Sequence, residues 1–115
     1  MTIAPLATLA DLERLDIRVG RVLEAHPFPE GRYSTHVLKI DFGPEAGVKK
    51  SLAKLAPNYV GDELVGRLVL AVVNFPARQI GQHLSEVLTL GVSDSGGNVV
   101  LVTPKDEVPL GARLH

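Results

Sequence analysis

The 115-residue sequence contains no cysteine. This absence excludes disulfide bonds, thiolate metal ligands and cysteine nucleophiles, and it agrees with a reducing, cytoplasmic environment. Long hydrophobic runs are also absent, because the longest, residues 68–73, is six residues long, far below the ~20 that a transmembrane helix needs. The N-terminal residues show no basic stretch leading into an apolar core, so no signal peptide is predicted. We therefore expect a soluble, cytoplasmic protein with no segment inserted in a membrane.

A large excess of positive charge is lacking as well. Twelve Lys and Arg residues stand against 13 Asp and Glu residues, the formal net charge is −1, and the isoelectric point is about 6.4. These values argue against a protein that coats nucleic acid through bulk positive charge. A local basic patch is compatible with them, since the interval from Arg32 to Arg78 holds seven basic residues against four acidic ones. Such an excess is equally compatible with an ordinary solvated face.

Patterns typical of enzymes and metal sites are missing. The four histidines do not have the spacing of metal ligands, and there is no cysteine to complete a zinc site. His83 and Ser85 would lie on one face of a strand, but no orienting acid stands at a recognisable spacing and no nucleophile elbow surrounds the serine. A glycine-rich phosphate loop is also absent. We expect no catalytic activity, no metal and no cofactor.

What the sequence does contain is a series of short strands separated by turn residues. Residues 16–25 form a long strand with Gly20 in its middle, where a bulge or bend would let one strand serve two sheets. Strand patterns follow at residues 36–42, where alternate side chains predict a half-exposed strand, and at residues 48–53, 68–73, 85–92 and 98–103. Residues 43–47 read as a hairpin turn and residues 62–65 as one helical turn. The order of elements predicts a single all-β domain over residues 1–115, a five-stranded OB-fold barrel.

The two ends of the chain have a different character. Thr8 and Asp11 form a capping-box pattern, so residues 8–15 are predicted to contain a short helix with Leu9, Leu12 and Leu15 on one stripe. A helix this short is not stable alone and must pack on the domain or on a second subunit. The C-terminal residues 104–115 contain two prolines and a glycine and should turn rather than continue a ladder.

The central loop, residues 74–91, follows the buried strand 68–73 and exposes polar side chains. Pro76 cannot donate to a strand ladder, so strand pairing should stop near Phe75. Exposed loops between core strands commonly carry ligand contacts. This loop is the first candidate for a binding site.

Five segments carry a pattern more specific than their periodicity: residues 16–22, 37–43, 63–69, 72–81 and 85–91. In this order they resemble the tRNA-binding domain found as an appendage of methionyl-tRNA synthetases and as stand-alone proteins. The Asn74-Phe75-Pro76 and Ser85-Glu86-Val87-Leu88 segments resemble most the stand-alone CsaA branch, described as an export-related chaperone. The resemblance covers nearly the whole chain.

The resemblance implies an OB-fold homodimer that binds tRNA by shape, with unfolded or preprotein polypeptides as proposed partners of the CsaA branch. It also implies that the N-terminal helix and the C-terminal extension, including additional strand elements, form the dimer interface. Only five aromatic residues are present, which is few for a platform of stacked single-stranded bases, so a folded RNA suits the chain better. The RNA-binding residues expected on this basis are Lys49, Lys50, Asn74, Arg78, Gln79 and Ser85.

Several of these residues have a second interpretation. Arg78 is either a phosphate contact or a solvated arginine, and Lys49 and Lys50 are either a phosphate rail or solvated strand ends. Asn74 and Ser85 are expected chiefly to bond the turning backbone, with ligand contact as a secondary role.

The loop also differs from that of the synthetase appendages, because it has lost basic residues and gained a phenylalanine and an acid. This difference favours protein ligands over tight RNA binding. If the ligand is a polypeptide, Phe75 and Ile80 are its expected contacts. The second interpretation of Phe75 is a core residue that closes the strand before it.

Overall fold

The computed structural model describes residues 2–115, and within them the chain forms short strands and two single-turn helices. In chain order they are α1 (Leu9–Glu13), β1 (Ile17–Pro27), β2 (His36–Asp41), α2 (Gly43–Ala46), β3 (Val48–Ala53), β4 (Leu68–Val72), β5 (Arg78–Ile80), β6 (His83–Ser85), β7 (Leu88–Thr89), β8 (Gly91–Ser93) and β9 (Val99–Leu101). Five strands form one antiparallel sheet in the order β3-β2-β1-β4-β7, while β5 pairs with β6 and β8 with β9. The predicted all-β barrel with a small N-terminal helix is confirmed.

Strand β1 serves two partners, as its length predicts. It pairs with β4 from Ile17 to Arg21 and with β2 from Arg21 to Pro27. The bulge lies between Val22 and Glu24 rather than at Gly20. Gly20 has another role, because a Cβ there would lie 2.4 Å from Ile40 Cγ2 and 2.7 Å from the ring of Phe42. Its missing side chain lets the strand approach the barrel core.

Strand β4 is buried on both faces, which explains its continuous apolar sequence. Val69 and Ala71 face the barrel interior with Leu38 and Phe42. Leu68, Leu70 and Val72 pack in a second cluster outside the barrel, together with apolar residues of the C-terminal extension. The buried central strand predicted at residues 68–73 is confirmed.

Strand β2 differs from the prediction of a half-exposed strand. His36, Leu38 and Ile40 are buried as expected, but Val37, on the face predicted to be polar, is also buried. It packs with Phe28 and Leu52 in a third small cluster, which the periodicity of β2 alone did not indicate. Burial lowers the pKa of His36.

Three other segments depart from their predicted form. Residues 43–47 contain the single helical turn α2 rather than a plain hairpin turn, and residues 61–66 form successive turns rather than a helix. The strand predicted at residues 85–92 is broken into the end of β6, then β7 and β8, because the chain leaves the β5–β6 hairpin and crosses to β4. Within residues 98–103 the strand is limited to β9.

The C-terminal extension lies along β1 of its own chain. Its residues exchange backbone hydrogen bonds with β1, as in Val19 N to Ala112 O at 2.9 Å and Leu114 N to Ile17 O at 2.8 Å. Arg113 donates to Glu13 O at 2.7 Å, which joins the extension to the end of α1. Arg18, 2.8 Å from Asp16, lowers the pKa of that carboxyl group. The extension makes one isolated bridge and no further strand within the described part of the chain.

Candidate nucleic-acid interface

The predicted loop at residues 74–91 contains a two-stranded hairpin made by β5 and β6. In it Arg78 lies opposite Ser85, and Ile80 lies opposite His83. Gly81 takes the positive φ of 59° that the tight turn requires. A hairpin holds its exposed side chains in a more defined position than a flexible loop does.

Hydrogen bonds to β3 hold the base of this hairpin on the barrel. Ser85 Oγ accepts from Leu52 N at 3.1 Å, and Glu86 N donates to Lys50 O at 2.8 Å. The Glu86 carboxylate also accepts from Lys50 N at 3.0 Å. One residue further into β3, Ser51 Oγ donates to Val87 O at 3.2 Å and bonds Thr89 Oγ1 at 2.8 Å. These contacts form a seam where β3 and β7, the two edges of the five-stranded sheet, come together.

Ser85 and Asn74 therefore have the backbone role that was expected chiefly for them. Ser85 is 7% exposed, and its hydroxyl group also donates to Val87 O at 3.4 Å. Asn74 Oδ1 accepts from Asp16 N and its Nδ2 donates to Arg14 O, both at 2.8 Å. These two hydrogen bonds join Asn74, just after β4, to the residues just before β1.

Arg78 is exposed and lines three adjoining clefts. The apolar groove, about 360 Å³, lies beside Phe75 and Leu88. The tyrosine cleft, about 390 Å³, lies between Arg78 and Tyr33. A third groove, about 300 Å³, also contains Tyr33 and Arg78 and extends to Lys54. Arg78 is thus at the junction of an apolar surface and a polar one.

Three exposed cations surround these clefts. Arg32, Lys54 and Arg78 form no ion pair with any residue in the range 2–115. Arg32 and Arg78 line the tyrosine cleft, and Lys54 and Arg78 line the third groove. Unpaired surface cations around adjoining clefts make a suitable site for phosphate groups. Sequence reasoning did not single out Arg32 or Lys54, although both fall in the interval with excess basic residues.

The other predicted site residues are less available. Lys49 Nζ lies 3.9 Å from Glu86 and Lys50 Nζ lies 3.3 Å from His83 Nδ1. Gln79 is exposed, and its Nε2 donates to Gly81 O at 2.8 Å, which leaves its carbonyl oxygen free of protein partners in the described residues. Lys49 and Lys50 line none of the three clefts.

The two predicted polypeptide contacts lie on different sides of Arg78. Phe75 is 43% exposed and lines the apolar groove. Ile80 is half-buried against the cluster of Phe28, Val37 and Leu52, and it lines the tyrosine cleft. No hydrogen bond joins His83 to Ser85 in the described chain, and the ring of His83 packs edge-on against Phe28.

Residues 17–113 match the family described as a putative tRNA binding domain. The chain belongs to this family. Methionine–tRNA ligase of Thermococcus onnurineus is 34% identical over 105 residues, which cover 91% of this chain and 14% of the ligase. The chain therefore spans about one seventh of the length of that relative.

Solved structures show the same fold over nearly the whole chain. The CsaA chaperone of Picrophilus torridus is 40% identical with a TM-score of 0.87, and chaperone CsaA of Bacillus anthracis is 39% identical with a TM-score of 0.86. Each match covers 96% of this chain and 100% of the other. The resemblance to the tRNA-binding domain family and its CsaA branch is confirmed. Among the described residues, no helix is long and apolar enough to span a membrane.

The position of Ser85 generates a prediction about stability. Ser85→Ala removes the acceptor of the buried Leu52 N–H group, so we expect the free energy of unfolding to fall by about 1–3 kcal/mol. If this chain binds tRNA, the affinity of Ser85→Ala should stay much closer to wild type than that of Arg78→Ala, because Ser85 is only 7% exposed. Urea unfolding and a tRNA titration measure the two effects. Ser93→Ala, at an exposed serine of β8, is the control and should change stability by less than ~0.5 kcal/mol. A fully stable Ser85→Ala variant that no longer binds tRNA would instead assign Ser85 to ligand contact.

Proposed function

We propose that this protein is a non-catalytic RNA-binding protein that binds tRNA or a similarly structured RNA through the surface around Arg78. The observation that carries the proposal is the position of Arg32, Lys54 and Arg78 around two adjoining clefts, with Arg78 lining both, and without ion-pair partners among residues 2–115. Membership of the tRNA-binding domain family supports the same ligand. Such a protein would act in the cytoplasm, where its RNA is found.

The roles of individual residues follow from their surroundings. Arg78 contacts phosphate, since its guanidinium group is exposed and matches phosphate in bidentate fashion. Gln79 offers its free carbonyl oxygen to a sugar or base. Lys50 and Lys49 extend the positive edge along β3, with Lys49 partly offset by Glu86. Asn74 and Ser85 act through the backbone that they hold.

Because the net charge of the chain is −1, its affinity for RNA would depend on the local arrangement of these cations. A protein without bulk positive charge depends on a few well-placed phosphate contacts, so the loss of one contact should lower the affinity for RNA strongly. Recognition of a folded RNA by shape needs the contacts at fixed separations, and a hairpin held on the barrel provides them.

Arg78→Ala should weaken binding of bulk tRNA by about 10- to 150-fold, the equivalent of a charged hydrogen bond worth about 1.5–3 kcal/mol. It should also reduce the magnitude of the slope of log affinity against log salt concentration by about one, which corresponds to the loss of one phosphate contact. Fluorescence anisotropy at several salt concentrations measures both quantities. Lys105→Ala removes one positive charge from a different cleft, which has Leu101 in common with the third groove but contains neither Arg78 nor Tyr33, and it should leave affinity near wild type. Absence of tRNA binding by the wild-type protein at low salt would remove the proposal.

The proposed assembly is a homodimer formed by α1 and the C-terminal extension. The apolar residues of the N-terminal segment are exposed in the single chain, Leu6 fully and Leu9 by 70%. Leu114 of the extension is 38% exposed, and Arg113 holds the extension beside α1. Two adjacent segments thus present apolar side chains that a two-fold partner would cover. Two copies of the Arg78 face on one dimer would raise the affinity for an RNA that spans both.

Leu9→Asp tests this assembly. It places a charge in the proposed interface, so we expect the dimer dissociation constant to rise by about tenfold or more because an unpaired charge is costly to bury. Sedimentation velocity over a range of concentrations measures the change. Leu23→Asp, at a leucine that is 42% exposed on β1, should leave the dimer intact. A wild-type protein that is monomeric at all concentrations would contradict the assembly.

A second candidate function is that of a chaperone that holds unfolded or pre-export polypeptides. The observation that favours it is the apolar groove, where Phe75 and Leu88 are each 43% exposed and where Arg78 is the only basic lining residue. Exposed apolar surface of this kind binds apolar segments of other chains. The two solved relatives of the CsaA type are named chaperones.

If this second function holds, the protein suppresses aggregation of an unrelated unfolded protein, and competing tRNA and salt do not abolish the effect. Phe75→Ser should then raise the protein concentration needed for half-maximal suppression by about tenfold, since burial of a phenylalanine contributes about 1.5–3 kcal/mol. Light scattering during refolding measures suppression. Leu23→Ser is the control because Leu23 has nearly the same exposure and lies outside the groove. Equal suppression by wild type and Phe75→Ser would show that the groove is not the polypeptide site.

A further inference from the structure

Tyr33 is the most exposed aromatic side chain in the described protein, at 77%. Phe28 and Phe42 are buried, and the Tyr59 hydroxyl group accepts from Leu101 N at 3.0 Å. Tyr33 makes no hydrogen bond through its hydroxyl group, and its ring stacks on no other ring within residues 2–115. Within the described residues, the Tyr33 side chain therefore contributes neither a hydrogen bond nor a ring contact to the fold.

The loop that carries Tyr33, residues 28–35, is nevertheless held firmly. Phe28 N donates to Thr35 O at 2.8 Å, and Thr35 N donates to Ala53 O at 2.9 Å. Thr35 Oγ1 accepts from Leu55 N at 2.8 Å and from Ala56 N at 3.1 Å. The two ends of the loop are thus bonded to each other, and Thr35 is bonded to the end of β3 and to the residues that follow it. A ring on an anchored loop loses less freedom on binding than a ring on a mobile one.

The same loop is joined to the hairpin that carries Arg78. The rings of Phe28 and His83 meet edge-on with centroids 5.3 Å apart, and Ile80 packs on the Phe28 cluster. Phe28 therefore connects the two walls of the tyrosine cleft. This connection sets the distance between Tyr33 on one wall and Arg78 on the other.

The tyrosine cleft has the composition of a site for a single nucleobase. Its volume of about 390 Å³ falls in the range of roughly 300–1,000 Å³ typical of ligand pockets. Arg32 and Arg78 flank the ring as cations, and Gln79 and Ser34 supply polar groups that can meet a base edge. Aromatic rings stack on bases, and guanidinium groups bind the adjoining phosphates.

We propose that the tyrosine cleft takes one unpaired nucleobase, extruded from a structured RNA and stacked on Tyr33, while Arg32 and Arg78 hold the phosphates beside it. This inference rests on the proposed RNA-binding function and narrows its ligand to folded RNA that displays an unstacked nucleotide. A single ring cannot make a platform for single-stranded RNA, in agreement with the small number of aromatic residues. The stacked base adds one nucleobase contact to recognition by shape.

Three versions of one RNA hairpin test the inference by anisotropy: a fully paired stem, a stem with one bulged nucleotide, and the same bulge without its base. The wild-type protein should bind the bulged stem roughly 5- to 150-fold more tightly than the other two, the range expected for one stacked base. Tyr33→Ala should abolish this preference and leave binding of the paired stem unchanged. Tyr33→Phe keeps the ring and should keep the preference. Thermal unfolding of both variants should match wild type, because the side chain is exposed.

Equal affinity of the wild-type protein for all three RNAs would overturn the inference, as would a preference that survives Tyr33→Ala. Binding of tRNA without any effect of the bulged base would overturn this inference alone. Failure to bind any RNA at low salt would overturn the RNA-binding function together with it. If Tyr33→Ala instead weakened binding to a reduced, carboxymethylated unfolded protein and left the RNA preference intact, the ring would belong to a polypeptide site and the inference would be wrong.

Discussion

The seam between β3 and the segment from Ser85 to Thr89 is the contact on which the candidate site depends. It brings the two edges of the five-stranded sheet together, and it does so largely through side chains, because Ser51, Ser85 and Glu86 bond backbone or side-chain groups across it. Buried polar groups of this kind must be paired, since each unpaired donor or acceptor costs about 1–3 kcal/mol. Among the described residues no buried side-chain nitrogen or oxygen lacks a partner. Since Ser85 lies opposite Arg78 in the hairpin, the closure of the barrel also sets the position of the exposed guanidinium group.

Phe28 has a comparable role at the other wall of the site. Its buried ring packs with Val37, Leu52 and Ile80 and meets His83 edge-on, so it joins the β1–β2 loop to the β5–β6 hairpin. One arginine then lies between an apolar groove on one side and a tyrosine cleft on the other. This arrangement explains why an RNA and an unfolded polypeptide are both reasonable ligands for one face. Under the two proposals they would use different neighbours of Arg78, Tyr33 for the RNA and Phe75 for the polypeptide.

Much of the fold follows from local patterns, and most of the departures have a tertiary cause. The sequence predicts the capping box, the pairing of β1 with two other strands and the burial of β4 on both faces. Each of these features depends on residues that are close together in the chain. The burial of Val37 is not predicted in this way, because it depends on Phe28 and Leu52 from other elements. The single strand predicted at residues 85–92 is divided among the end of β6, β7 and β8, since alternation of side chains cannot show where a strand leaves one partner for another. Arg32 and Lys54 were visible only as part of a basic interval, with no indication that they would meet Arg78.

The sequence by itself determined the all-β class, the family and the absence of thiolate chemistry, and it singled out the segment around Arg78 as a candidate site. These properties depend on residue types, on short-range periodicity and on motifs that are contiguous in the chain. Only the tertiary structure decided which polar residues are free for a ligand. Asn74, Ser85 and Arg78 look alike as polar residues of one loop, yet two of them bond distant backbone groups and one does not. The physical reason is that hydrogen bonding and burial depend on which segments meet in space, and barrel closure brings together residues that are tens of positions apart in the chain.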